Sequence, residues 1–409
     1  MLRKYMSELG YTSEEIDKII NSYPIVNYVE DTLYKKIRDI FNFCIQYGYT
    51  SEDIIKMSVK FVAFYSYGLD RIESILNELS LMGYSKKDII RITRKFPSIF
   101  AYEVESLRKK IKDLIGLGYN ISDVIKITVI NPQVLGLSLD NLKQKIKEIM
   151  ELGYSRKDVL KMAKTTPVIY GYNTDSVREK FSEIVKLGYT PKEVIKMTKL
   201  YPSLYGLSIE YMKRKIESII KLGYTKDDVI KMTKVLPAIY CLTIDGLSLK
   251  IEDMVNLGYS RNQVIEMTKI LPSLFSYSID NISKKIEDMV SLGYSRKQVL
   301  EMTLKFPGIY SSTIENICEK KEFYDYLGIG NIIVLDPKKL MQSVELSYAR
   351  YMYYQSIGVV ITSSNYSKLF IGQKLFEKRY GKNNSELIDE FNYDSDAVVK
   401  TMINRTKKQ

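Results

Sequence analysis

The sequence predicts an all-α fold: a right-handed α-solenoid of about nine 35-residue helical repeats with a helical C-terminal cap. Three observations carry this prediction. A Gly-Tyr pair recurs at a fixed interval. A proline follows the glycine 14 residues later in eight of the nine copies. Between these marks the apolar residues keep the three-and-four spacing of a helix face.

The pairs are Gly10-Tyr11, Gly48-Tyr49, Gly83-Tyr84, Gly118-Tyr119, Gly153-Tyr154, Gly188-Tyr189, Gly223-Tyr224, Gly258-Tyr259 and Gly293-Tyr294. The first interval is 38 residues and each later one is 35. The prolines are Pro24, Pro97, Pro132, Pro167, Pro202, Pro237, Pro272 and Pro307; repeat 2 carries Val62 instead. Gly328 is in register but is followed by Ile329, so the pattern is read as ending there. Residues 1–326 are expected to form the array and 327–409 a helical cap, because the last repeat would otherwise expose its apolar face.

Each repeat divides into helix, break and helix. Two residues after the glycine stands an N-cap residue (Thr12, Thr50, Ser85, Asn120, Ser155, Thr190, Thr225, Ser260 or Ser295). Three residues further on is Glu, Asp or Gln, the capping-box partner. The first helix, called A, then shows an apolar stripe such as Ile89, Ile92 and Phe96, and the proline ends it. A short apolar stretch such as Pro202 to Tyr205 has room for one further turn. A second cap (Ser138, Asn173, Ser208, Thr243, Ser278 or Thr313) opens the longer helix B, for example Leu142, Ile146 and Ile149. The next repeat's glycine closes it as a left-handed C-cap. Neither helix buries its stripe alone, so the repeats must stack.

Composition removes several function classes. The 409 residues contain no His, which excludes imidazole-based acid–base and nucleophilic catalysis and His-ligated metals. Cys44, Cys241 and Cys318 are too few and too dispersed for a zinc cage or a disulfide framework. They are expected to be reduced and packed as small apolar residues. No cofactor, metal or catalytic residue is expected. No apolar run reaches the ~20 residues of a membrane helix, and the N-terminus has no targeting leader, so a cytoplasmic protein is expected, or an organellar matrix protein if a leader has been removed.

The pattern Leu-Gly-Tyr-Ser/Thr, Val-Ile-Lys-Met, Pro-x-Ile/Leu-Tyr, Lys-Ile-Glu resembles the repeat of the mitochondrial transcription termination factor (mTERF) family. The resemblance covers residues 9 to about 326. It implies repeats of two α-helices and a short third one, stacked into a curved superhelix whose basic concave face binds nucleic acid. It also implies a role in transcription or genome maintenance.

The charge pattern points the same way without the family. The net charge is +12. Eight residues after each glycine stands a cation: Lys18, Lys56, Arg91, Lys126, Lys161, Lys196 and Lys231, then a switch to Glu266 and Glu301. Three residues on is a second row: Arg94, Lys164, Lys199, Lys234 and Lys269. A third row lies on helix B: Lys110, Lys145, Lys180, Lys215, Lys250, Lys285 and Lys320. Rows of constant cations suit a ligand that is itself repetitive, such as a phosphate backbone. The expected interface comprises the first two rows from Lys56 to Lys269 and, less directly, Lys145, Lys180, Lys215, Lys250 and Lys285. The expected partner of this monomer is nucleic acid, duplex DNA ahead of RNA. A scaffold for an acidic protein is the alternative.

Three other groups are read as structural. The variable pair before each proline, such as Ile130-Asn131 or Leu200-Tyr201, is mostly apolar and is expected in the core. The repeated tyrosines are expected in packing between repeats. The dense cluster Tyr348, Arg350, Tyr351, Tyr353 and Tyr354 is expected in the cap, although its composition also suits single-stranded nucleic acid.

Overall fold

The computed structural model describes residues 1–22 and 30–393 and divides into two compact units, Met1–Met212 and Lys213–Gln409. Both are α-solenoids built from the same repeat, and no strand occurs among the described residues. Helix A spans ten residues in repeats 2 to 9, from Ser51–Lys60 to Arg296–Lys305. A 3₁₀ turn follows, such as Pro202–Gly206, and then helix B, such as Ile244–Asn256. Pro24 of repeat 1 lies outside the described residues. In repeat 2 the 3₁₀ turn Val62–Ser66 forms without proline. Its Phe64 and Tyr65 are fully buried, so apolar anchoring suffices to hold the turn.

The caps follow the chemistry of the sequence. The N-cap side chain of helix A accepts from the backbone N–H three residues on in all nine repeats, and eight have the complete reciprocal box. In repeat 3 Asp88 instead accepts the Ser85 hydroxyl, at 2.6 Å. Each such cap contributes ~1 kcal/mol. At the other end the glycine takes positive φ, +93° at Gly83 and +116° at Gly223. The Gly83 N–H then reaches the Ser80 carbonyl (3.0 Å), and the Tyr84 N–H reaches that of Leu79 (3.1 Å). These two bonds are the Schellman pattern and satisfy the last carbonyls of the helix.

That turn drops the tyrosine into the core, where it joins neighbouring repeats. The Tyr84 hydroxyl lies 2.8 Å from Thr128 Oγ1 on helix A of the next repeat. Thr128 donates its own proton to the Val124 carbonyl (2.8 Å), so the phenol is the donor to Thr128. Tyr49–Thr93, Tyr224–Thr268 and Tyr259–Thr303 repeat the pair at 2.5 to 2.7 Å. Tyr119 meets Ala163 at this register and pairs with Tyr170 instead, at 2.5 Å. Burial pushes the Tyr84 and Tyr224 phenols up to about 12, so the ladder stays neutral. The repeated tyrosines are packing residues, as expected.

The repeat extends further at both ends than its sequence signature. Helix Leu2–Glu8 ends in the same glycine turn and buries Leu2 and Met6, forming half a repeat before Gly10. After Gly328 the order continues as Gly330–Leu335, Pro337–Met341 and Val344–Ser356. This is a tenth copy whose helix A has lost about one turn, so its proline follows the glycine by 9 residues instead of 14. The boundary expected at residues 326/327 thus falls inside a run of like elements. Short helices Gln373–Tyr380 and Asn384–Glu390 follow.

Gly223 tests the turn. A Cβ there would lie 2.8 Å from Ile265 Cδ1, and the backbone is at φ +116°. Gly223→Ala should cost ~1–3 kcal/mol, read as a lower urea midpoint. An unchanged midpoint would show that the left-handed turn does not set the stability of its repeat.

Candidate nucleic-acid interface

The three cation rows have different surroundings. Most of the helix-B row reaches across to the next repeat. Lys145 donates to the Tyr172 carbonyl, Lys250 to that of Tyr277, Lys285 to that of Ser312 and Lys320 to that of Leu340, each at 2.6 Å. Lys215 donates in the same way to Leu242. Each ammonium thereby caps the 3₁₀ turn of the following repeat. Lys215 and Lys320 are buried, and desolvation lowers both ammonium pKa values. Lys180 is half-buried, 3.6 Å from Glu183, and Lys110 stands 5.2 Å from the Tyr102 ring. Lys145, Lys215, Lys250 and Lys285, expected at the ligand interface, thus bond to carbonyls of the next repeat, whereas Lys180 lies beside Glu183 of its own helix and Lys110 beside Tyr102 of its own repeat.

The second helix-A row reaches back to the capping acid of the preceding repeat. Arg94 pairs with Asp53 (2.9 Å), Lys164 with Asp123 (2.6 Å), Lys199 with Asp158 (2.7 Å) and Lys269 with Asp228 (3.3 Å). One carboxylate thus accepts from its own N-cap backbone and from the next helix A. Lys164 and Lys199 hold the Asp123 and Asp158 carboxyls below the usual carboxylate range. Lys234, in the same row, is half-buried.

The first helix-A row remains open. Lys56, Arg91, Lys126, Lys161, Lys196 and Lys231 are all exposed. Lys56 pairs with Glu52 on its own helix. Among the described residues the other five make no ion pair. Glu266 and Glu301 occupy the register in repeats 8 and 9, are also exposed, and Glu266 pairs with Lys269 at 2.7 Å.

The family model named mTERF matches residues 2–151, 113–221, 141–256 and 217–345, four overlapping stretches that together cover most of the chain. The chain belongs to the mTERF family. Members of this family are nucleic-acid-binding repeat proteins known as non-catalytic binders. A comparison with individually curated proteins finds no match. Of the three rows in this mTERF chain, the first helix-A row is the one whose cations from Arg91 to Lys231 make no ion pair among the described residues.

A further set of cations belongs to that row and was missed from sequence. Lys87, Lys157 and Lys192 stand four residues before Arg91, Lys161 and Lys196 and are exposed. Four residues apart on a helix means the same face, so these are like-charge neighbours that cost a few tenths of a kcal/mol each. The signal was a cation four residues after the glycine, legible once helix A is drawn as a wheel. In repeats 2 and 3 the rows converge on a crevice of about 780 Å³ between the two A helices. Lys56, Lys86, Lys87, Arg91, Arg94 and Lys95 line it with a single acid, Asp53. Burial, and next the Arg91 charge, lower the Lys95 ammonium, as expected where cations are crowded.

The remaining candidates have structural partners. Arg350 is buried and donates to the carbonyls of Leu369 (2.9 Å) and Ile371 (2.6 Å) and to Asn384 Oδ1 (2.9 Å). Its guanidinium lies 4.8 Å from the Phe376 ring centre, and Tyr351 and Tyr354 are buried beside it, so this cluster builds the C-terminal packing. Cys44 is buried as expected, but Cys241 is exposed at the end of a 3₁₀ turn and Cys318 is half-buried.

The ion pairs with the capping acids predict a pH dependence. Asp158 is held low by Lys199, so the pair's stabilisation is fully present above the unfolded carboxyl's pKa. It is lost as pH falls through the lower folded value. Both partners are partly exposed, so Lys199→Met should cost only about 0.5–1 kcal/mol near pH 6. The difference between wild type and variant in urea denaturation should shrink towards zero on titration to pH 2–3. A difference that persists at low pH would assign the effect to packing of the Lys199 stem.

Proposed function

We propose that this mTERF protein binds duplex DNA through the open row on its A helices, with Arg91, Lys126, Lys161, Lys196 and Lys231 as phosphate contacts. Lys87, Lys157 and Lys192 add to them, and the binding serves transcription regulation or termination. One observation carries the reading. Cations at this register stay exposed and unpaired in five successive repeats, while those of the other two rows mostly bond to carbonyls or carboxylates. Leaving Arg91, Lys161 and Lys196 beside the like charges of Lys87, Lys157 and Lys192 is a cost to the free protein that a phosphate backbone would remove.

Duplex is favoured over single strands by the tyrosines. A single-strand binder stacks bases on exposed rings. Here the post-glycine rings, from Tyr11 to Tyr294, are buried. The contacts available to the ligand are charges, which read a backbone and not a base plane.

The test is a salt series on the full-length protein with a mixed-sequence DNA duplex. Log affinity should fall with log salt at ~0.9 per phosphate neutralised, hence with a slope of about 4 or steeper for five row cations. Lys161→Glu, Lys196→Glu and Lys231→Glu together should lower affinity for all sequences alike and reduce the slope by about 3, with helix content unchanged. A flat salt response in the wild type would end the proposal, and tighter binding to duplex RNA would change its substrate.

A further inference from the structure

One turn beyond the first-row position, the last residue of helix A varies across repeats 2 to 9: Lys60, Lys95, Ile130, Thr165, Leu200, Val235, Ile270 and Lys305. The sequence reading expected the aliphatic members in the core. The structure places them outside: Ile130 is 39% exposed, Leu200 60%, Val235 64% and Ile270 62%. The lysines at this register have a structural use. Lys60 donates to the Lys95 carbonyl, Lys95 to that of Ile130 (2.9 Å) and Lys305 to that of Leu335 (3.3 Å). An aliphatic side chain cannot do this, and its exposure forfeits the stabilisation that burial would bring.

Ile130, Leu200 and Val235 each follow an open cation by four residues: Lys126, Lys196 and Lys231. Each pair therefore shares one face of one helix. The aliphatic side chain thus stands one helical turn, about 5.4 Å, from the cation, a distance comparable to that between a phosphate and the sugar of its own nucleotide. Ile270 has the same register and exposure, but the residue four before it is Glu266, which repels phosphate.

We propose that Ile130, Leu200 and Val235 make apolar contacts with deoxyribose and base edges, including thymine methyl groups, and supply the salt-independent, sequence-sensitive part of DNA binding. This rests on the reading of the open row as phosphate contacts. Thr165 shows that the fold accepts threonine at this register, so the test uses Ile130→Thr, Leu200→Thr and Val235→Thr combined in the full-length chain, with Ile270→Thr as the control. Affinity is measured across a salt series for A·T-rich and G·C-rich duplexes, with helix content and melting temperature recorded alongside.

The triple variant should bind about tenfold to a hundredfold more weakly at every salt concentration, with an unchanged salt slope and a smaller difference between the two duplexes. Ile270→Thr should match the wild type. Wild-type affinity and selectivity in the triple variant would overturn the inference, as would an equal loss in Ile270→Thr or a loss seen only as a changed slope. If the triple variant instead alters self-association measured by sedimentation while DNA affinity holds, the aliphatic residues face a second copy and the inference is wrong. A wild type with no salt-dependent binding removes the phosphate reading first. A salt-dependent wild type with an indifferent triple variant removes only the aliphatic contacts.

Discussion

Once every 35 residues, a peptide unit at positive φ ends helix B, and most other contacts take their register from it. Only glycine adopts this conformation cheaply. The turn satisfies the helix's last carbonyls and aims the following tyrosine inward. It also places the next N-cap two residues downstream. Because the tyrosine of one repeat bonds the threonine of the next, as Tyr84 does to Thr128, an error at the turn is felt two helices away. A nearest-neighbour architecture has no distant core to compensate for it.

The same register assigns work to the cations. A lysine on helix B falls opposite the carbonyl that ends the next 3₁₀ turn, so it is drawn into packing. A cation at the second helix-A position falls opposite a capping carboxylate, which is held there by its own N-cap bonds. At the first helix-A position, the cations from Arg91 to Lys231 make no ion pair among the described residues. Charge composition is thus a poor guide to function in this fold, because a partner's geometry decides which charges are spent internally. Much of the +12 excess sits in groups that hold the repeats together.

This distinction explains what the sequence revealed and what it hid. Helices, caps, proline turns and the glycine conformation all follow from contacts within one repeat, and period and residue type specify those. Contacts between repeats depend on how far a side chain reaches across to its neighbour. The two helix-A rows therefore looked alike in sequence, although Lys199 meets Asp158 and Lys196 makes no ion pair among the described residues. Ile130, Leu200 and Val235 looked like core for the same reason: hydrophobicity was visible and direction was not. The tenth copy was hidden because a shortened helix A moves Pro337 out of register while leaving the succession of helix, turn and helix intact.

The reversal to Glu266 and Glu301 fits this division. Helix A of repeats 8 and 9 keeps its cap, its apolar stripe and its threonine ladder, so nothing in the packing asks for acid at that position. In the same two repeats the cap partner changes from a carboxylate to Gln263 and Gln298. Gln fills the capping box without charge, so the exposed glutamates are the acids that these A helices carry. Where repeats 3 to 7 place acid under the cap and leave cation outside, repeats 8 and 9 remove it from the cap and put it outside. A stability requirement would preserve the charged cap and leave the outer position to drift. Both positions change together while the packing stays constant, so the reversal at Glu266 and Glu301 is a property of the exposed surface and not of the fold.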